Sequence, residues 1–283
     1  VAAAALVVTE ARRAVKHADR FSLVLAGGET PRRAYEVLGS PAVAGLVPWS
    51  AVHIFWGDER CVDPRHPLSN EGMARAALLD RVPIPAGQIH PIRCATGEAA
   101  AGRAAAAAAY EAVLRARCPA PDLVLLGLGA DGHTASLFPG SKALAERERW
   151  VVAVAAEEAG SAAAASVAAD GREGGDGTAD PPAVERVTLT PPYLSRAGLA
   201  LFLVAGPDKA AAVKRALQEV LGGGDPRSPA AADPPAAADP PPAVLVRPAG
   251  TRSLWFLDEE AAALLDPGCI WAAREPSGPP SEE

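Results

Sequence analysis

Short apolar runs alternate with segments of helical period along most of the chain. FSLVLAGG, AVHIFWGDER, DLVLLGLGADG and LALFLVAGPDK each hold a run of buried-type residues that ends in glycine and then a polar group. Between them, EARRAVKHA, TPRRAYEVLG, SNEGMARAALLDR, AAAAYEAVLRARC and KAAAVKRALQEVLG space their apolar residues as amphipathic helices do. Strands that are nearly continuous in apolar residues, separated by helices, predict an α/β fold. The expected architecture is a mostly parallel, Rossmann-like sheet with helices on both faces, in a single domain. Sheets of this kind bind ligands beyond the carboxyl ends of their strands. Those ends are where this chain places its Gly, Asp, Glu, Arg, His and Lys residues.

Two stretches carry no hydrophobic period. One covers about 157–182 and is Ala, Gly, Ser and Asp; the other, about 222–242, reads GGGDPRSPAAADPPAAADPPP. Neither holds enough apolar surface to offset the entropy of ordering it. The segments beyond them are too short to be domains, so both read as surface insertions in one domain spanning 1–283.

Composition narrows the function classes. Of 283 residues 49% are hydrophobic but only 5% aromatic, so much of the apolar count is alanine. The net charge of −7 repels a phosphate backbone and argues against nucleic-acid binding, while leaving room for an anionic small molecule in a locally basic pocket. Long apolar tracts are broken by charge, so no membrane span or membrane partner is expected. The four cysteines Cys61, Cys94, Cys118 and Cys269 form no C-x-x-C pair, which predicts free thiols in a reducing compartment such as the cytoplasm. The chain starts at Val1 rather than Met, which keeps a removed targeting peptide open.

Four loops carry candidate chemistry. Gly27-Gly28-Glu29-Thr30-Pro31 joins a strand to a helix, where free N–H groups attract an anion and glycines allow close approach. Alone, a Gly-Gly turn is as often a mere chain reversal, and it matches neither a P-loop nor G-x-G-x-x-G. Gly57-Asp58-Glu59-Arg60 ends a strand; Arg60 suits a phosphate, and Asp58 or Glu59 suits a base or an orienting group, although solvated charge clusters are common there. In GLGADGHT, three glycines bracket Asp131 and are followed by His133, an accessible imidazole beside a carboxylate. The other histidines supply no H-x-x-x-H or H-E-x-x-H spacing, so no metal is expected, and G-x-S-x-G is absent. A base acting on water is the better reading of His133. Lys209 follows a strand at a helix start, a position that on spacing alone fits an ordinary surface lysine.

Taken together, LAGGETP, FWGDERCVDPRHPLSNEGMARAALL, PDLVLLGLGADGHTASLFPG, RVTLTPPYL and AGPDKAAAV resemble the 6-phosphogluconolactonase family, in order and over nearly the whole chain. The resemblance implies a hydrolase without metal or cofactor that opens 6-phospho-D-glucono-1,5-lactone to 6-phosphogluconate in the oxidative pentose phosphate pathway. It implies His133 as catalytic base with Asp131 as its neighbour, and Gly27, Gly28, Thr30, Arg60 and Lys209 around the phosphate. Glu29 departs from the family, which usually has an uncharged residue there. The competing reading is the related glucosamine-6-phosphate isomerase/deaminase, in which an acidic residue lies five positions after the histidine; here that position is Phe138. A third is a binding module that kept the pocket but lost turnover.

Overall fold

Five strands hydrogen-bond in parallel in the order β2-β1-β4-β7-β8: β1 (Phe21–Leu25), β2 (Val52–Trp56), β4 (Leu123–Leu126), β7 (Leu199–Val204) and β8 (Ser253–Leu257). The computed structural model describes residues 1–94, 100–159, 184–221, 240–247 and 253–266. Every residue of β1, β4 and β7 is buried, as the unbroken apolar runs require of strands covered on both faces. The predicted α/β fold is therefore observed.

Three helices lead into or connect the first strands: α1 (Ala2–Ala18), α2 (Glu29–Leu38) and α3 (Asn70–Ala77). In α1 the buried residues Ala4, Val7, Val8, Ala11 and Ala14 form one stripe at helical spacing. Ser69 caps α3, its hydroxyl accepting from the Gly72 N–H at 3.0 Å. Further on come α4 (Ala100–Arg117), a short α5 (Pro191–Leu194) and α6 (Ala210–Leu221). In α5 the two prolines sit in the first turn, where no intrahelical donor is needed.

The chain steps one way from β1 to β2, and the other way through β4, β7 and β8. Right-handed crossovers on either side of such a reversal put α2 and α6 on opposite faces and open a crevice between β1 and β4. A second, antiparallel sheet, β3-β6-β5, is built from β3 (Asp58–Arg60), β5 (Val151–Val154) and β6 (Arg186–Leu189). It was not expected from the sequence. Strands of three or four residues are too short to show a period, and β3 reads only as three charges.

The expectation of free thiols is corrected for Cys61 and Cys94, which form a disulfide with Cα atoms 4.7 Å apart. A separation of 33 residues carries no local signature. The fold creates the contact by running Ile89 alongside Ile54 of β2, which brings the following segment back to the end of β3. Cys118 is free and buried, and burial pushes its thiol pKa up; Cys269 lies outside the described residues.

Most of the two aperiodic stretches, 160–183 and 222–239, also lies outside the described residues. Their described ends are tied down: Glu158 accepts from Ser141 Oγ at 2.7 Å, and Pro242 is buried at the start of a 3-10 turn, Pro242–Leu245. No described helix is long and apolar enough to cross a membrane.

Candidate active site

The crevice between β1 and β4 is a cavity of about 350 Å³. Its first wall is the loop after β1. Gly28 caps α2 at φ 97°, a backbone region that disfavours side chains, and the start of α2, Thr30 included, lines the cavity. Glu29, the departure noted above, lines the cavity, while its carboxylate is held by its own helix. Its carboxylate bonds to Arg32 at 2.6 Å and to Arg33 at 3.2 Å. Those hydrogen bonds, Arg32 first, lower its pKa to about 2, so the added charge is neutralised locally.

The loop after β4 supplies the second wall. His133 Nδ1 lies 2.6 Å from Asp131 Oδ1, which also accepts the His133 backbone N–H at 3.0 Å. Burial pushes the Asp131 carboxyl up, but these hydrogen bonds and the imidazole outweigh it and hold the pKa below the ordinary carboxylate range. An ionised Asp131 selects the tautomer with the proton on Nδ1 and leaves Nε2 free as an acceptor. A Cβ at position 129 would stand 2.1 Å from His133 Nδ1, so the ring is seated against a backbone that must be glycine. After His133 the chain turns sharply through Ala135, a non-glycine residue at φ 50° lining the cavity. Phe138 packs its ring 4.8 Å from the imidazole.

Arg60 comes from β3, with Nη1 donating to Asn70 Oδ1 at 2.5 Å and to the Leu68 carbonyl at 3.0 Å. Lys209, in the turn after β7, lines the cavity and pairs with Asp208 at 2.6 Å. Gly27, Gly28, Thr30, Arg60, His133 and Lys209 thus share one cavity, with Asp131 directly behind His133. The two acidic residues before Arg60 divide. Asp58 lines the cavity and accepts from Ser136 Oγ at 2.6 Å. Glu59 turns away and accepts the Asn70 and Glu71 N–H groups at 2.8 and 2.7 Å, so it caps α3 and is not a base. Among the described residues, no three His, Cys, Asp or Glu side chains converge as a metal site.

A profile of the family described as glucosamine-6-phosphate isomerases/6-phosphogluconolactonase matches residues 1–169 and 174–255. The chain belongs to this family. It is 36% identical to a 6-phosphogluconolactonase of Nostoc sp. over 92% of this chain and 91% of that protein. It is 39% identical to a 6-phosphogluconolactonase of Mycobacterium tuberculosis over 79% and 77%. Among solved structures, the 6-phosphogluconolactonase of Trypanosoma brucei superposes with a TM-score of 0.71 at 28% identity, covering 94% of both chains. A monomeric glucosamine-6-phosphate deaminase, 19% identical, shares the fold with a TM-score of 0.68.

Within this family frame, three cavity residues escaped the sequence reading: Asn70, Arg186 and Ala135. Asn70 begins a helix and reads as an ordinary polar residue there; only the fold brings its amide beside Arg60 and the Asp58 carbonyl. Arg186 opens β6, in a sheet the sequence did not announce. Its one signal was its place in the RVTLTPPYL segment.

Proposed function

We propose that this chain hydrolyses 6-phospho-D-glucono-1,5-lactone to 6-phosphogluconate, with His133 as the base. The observation that carries this reading is the Asp131–His133 pair opening onto a cavity with cationic groups along its wall. Attack on a lactone needs only a water activated near neutral pH, which suits a neutral imidazole. In this reading Nε2 takes the proton of a water as it adds to C1, while Asp131 stabilises the imidazolium. His133 then returns the proton to the ring oxygen as the C1–O5 bond breaks. The α2 N-terminus at Gly27, Gly28 and Thr30, together with Arg60 and Lys209, receives the phosphate. Binding energy from this remote dianion orients the reacting carbonyl.

Phe138 favours the lactonase over the deaminase. It occupies the place of the acidic residue in the competing motif and has no proton to transfer. A dianionic sugar phosphate does not cross membranes unaided, so a cytoplasmic location fits this substrate. The test follows 6-phosphogluconate formation, with the spontaneous hydrolysis subtracted, alongside consumption of glucosamine 6-phosphate. Lactone opening above the spontaneous rate supports the reading. Turnover of the amino sugar alone, or of neither compound, overturns it.

A further inference from the structure

Arg60 and Arg186 stand directly opposite each other in the antiparallel β3–β6 ladder. Like charges in that relationship repel, and both side chains line the same cavity. Arg60 is partly compensated by Asn70 and the Leu68 carbonyl. Both guanidinium Nε atoms are buried with no partner among the described residues. Arg186 differs in that its side chain, only 20% exposed, makes no hydrogen bond at all among the described residues. Its nearest carboxylate oxygen, Asp58 Oδ2, is 3.8 Å from Nη1, outside hydrogen-bond reach, and already accepts from Ser136. A guanidinium desolvated without hydrogen bonds is costly unless a bound acceptor completes it.

The location says which part of a ligand that acceptor belongs to. Arg186 Cζ lies 5.4 Å from the centre of the Phe138 ring, and the same ring is 4.8 Å from the imidazole of His133. Arg186 and His133 therefore flank one phenyl group at the reacting end, whereas Arg60 is drawn toward Asn70. Building on the lactonase reading, we propose that Arg186 donates to the carbonyl oxygen of the bound lactone, stabilises the oxyanion, and then pairs with the product carboxylate. As the water oxygen bonds to C1 and its proton passes to His133, the carbonyl π pair becomes the oxyanion facing Arg186. Collapse re-forms C=O and breaks C1–O5, whose oxygen takes the proton from His133; the carboxylic acid then ionises to solvent. A preorganised donor aimed at developing charge acts in the transition state and so shows in kcat.

Arg186→Met, which keeps the stem, and Arg186→Lys, which keeps the charge beside Asp58, test the assignment. Wild-type lactone turnover is measured first; its absence overturns the lactonase reading and this proposal with it. In each variant that melts as a folded protein, kcat is expected to fall about 10²-fold or more. Inhibition by 6-phosphogluconate, which carries the carboxylate, weakens roughly tenfold, while inhibition by inorganic phosphate stays within roughly twofold. Equal weakening of both inhibitors makes Arg186 a phosphate ligand and overturns the proposal. Unchanged kcat in a folded variant reduces it to a structural partner of Asp58. Arg186→Lys carries the test if the Met variant does not fold, since a lysine cannot reproduce the planar fork.

Discussion

His133 Nδ1 and Asp131 Oδ1 meet at 2.6 Å although only one glycine separates the two residues in the chain. That closeness fixes the imidazole by local geometry alone and directs Nε2 to the cavity. His133→Ala is expected to lower kcat about 10²-fold or more, with KM little changed. Asp131→Asn leaves a similar shape but no longer dictates the tautomer, so kcat falls by ~10²- to 10⁴-fold on a folded protein. Protonation of Nε2 removes the base, so the wild-type rate drops on the acid side. Asp131, its pKa held low, stays ionised through that fall. Initial rates corrected for spontaneous hydrolysis at each pH check this, and a flat profile would remove His133 from the role.

Lys209 separates binding from chemistry. Lys209→Ala is expected to act mainly through KM, by ~1.5–3 kcal/mol for a charged hydrogen bond, and toward the lower end because Asp208 already holds the ammonium in the free protein. Some kcat is lost as well, since the phosphate orients the carbonyl. Steady-state kinetics of Lys209→Ala beside His133→Ala check the contrast. Parallel losses in both parameters for both variants would point to general damage instead.

The parts of this site that could be read from the sequence are those where one loop carries its own chemistry. Gly28 before a helix and Asp131-Gly132-His133 after a strand announce themselves because backbone need and side-chain type coincide within a few residues. Four strands of the parallel sheet were legible for the same local reason, as their apolar runs are nearly continuous; the edge strand β8, partly exposed along its length, was not. What stayed hidden depends on pairing at a distance. Arg186 faces Arg60 only because residues 126 positions apart share a ladder, and nothing in the chain near either one encodes that register. Asp58 and Glu59 look equivalent in sequence, yet the alternation of a strand sends one to the cavity and the other to the N-terminus of α3. The disulfide failed for a further reason: thiol pairing was argued from compartment and spacing, while the contact is made by a returning loop.

That disulfide can be measured directly. Reducing Cys61–Cys94 reopens a loop with a sequence separation of 33, worth about 3–4 kcal/mol in the chain-entropy account. Denaturant unfolding with and without reductant should show that loss, and the Cys61→Ser/Cys94→Ser variant should match the reduced protein in both conditions. Equal stability with and without reductant, with two additional alkylatable thiols after reduction, would mean the bond contributes nothing.

Gly129 supports the imidazole from behind. Gly129→Ala would place a methyl 2.1 Å from His133 Nδ1 and within 2.5 Å of Asp131 Oδ1, so the pair must move apart or the loop must shift. A misplacement of this size is expected to cost kcat about 10²-fold. KM for the phosphate-bearing substrate should change far less, since Gly28 and Lys209 lie in other loops. Kinetics together with a melting curve check it; wild-type kcat in the alanine variant would show that the observed seating of His133 is not needed.

A pair of histidines, remote from this loop, makes stability fall in acid. His53 Nδ1 and His90 Nε2 are 3.1 Å apart with their rings stacked, and His90 also stacks on Phe55 at 4.7 Å. Burial first, then His53, Arg117 and Arg20, lowers the His90 pKa to about 4. His53 is lowered in the same direction by burial and by Arg20 and Arg117. In the unfolded chain both titrate near ~6.5. Between those values the unfolded state binds protons that the folded state refuses, so stability rises with pH in this window. As pH falls below ~6.5 the protein therefore loses stability progressively, and the loss from His90 levels off only below about 4. His90→Phe keeps the stack on Phe55 and removes one of the two protonation sites, so its melting temperature should decline less than that of the wild type between pH ~7 and ~5. Parallel declines in the two proteins would show that the His53–His90 contact does not govern the acid response.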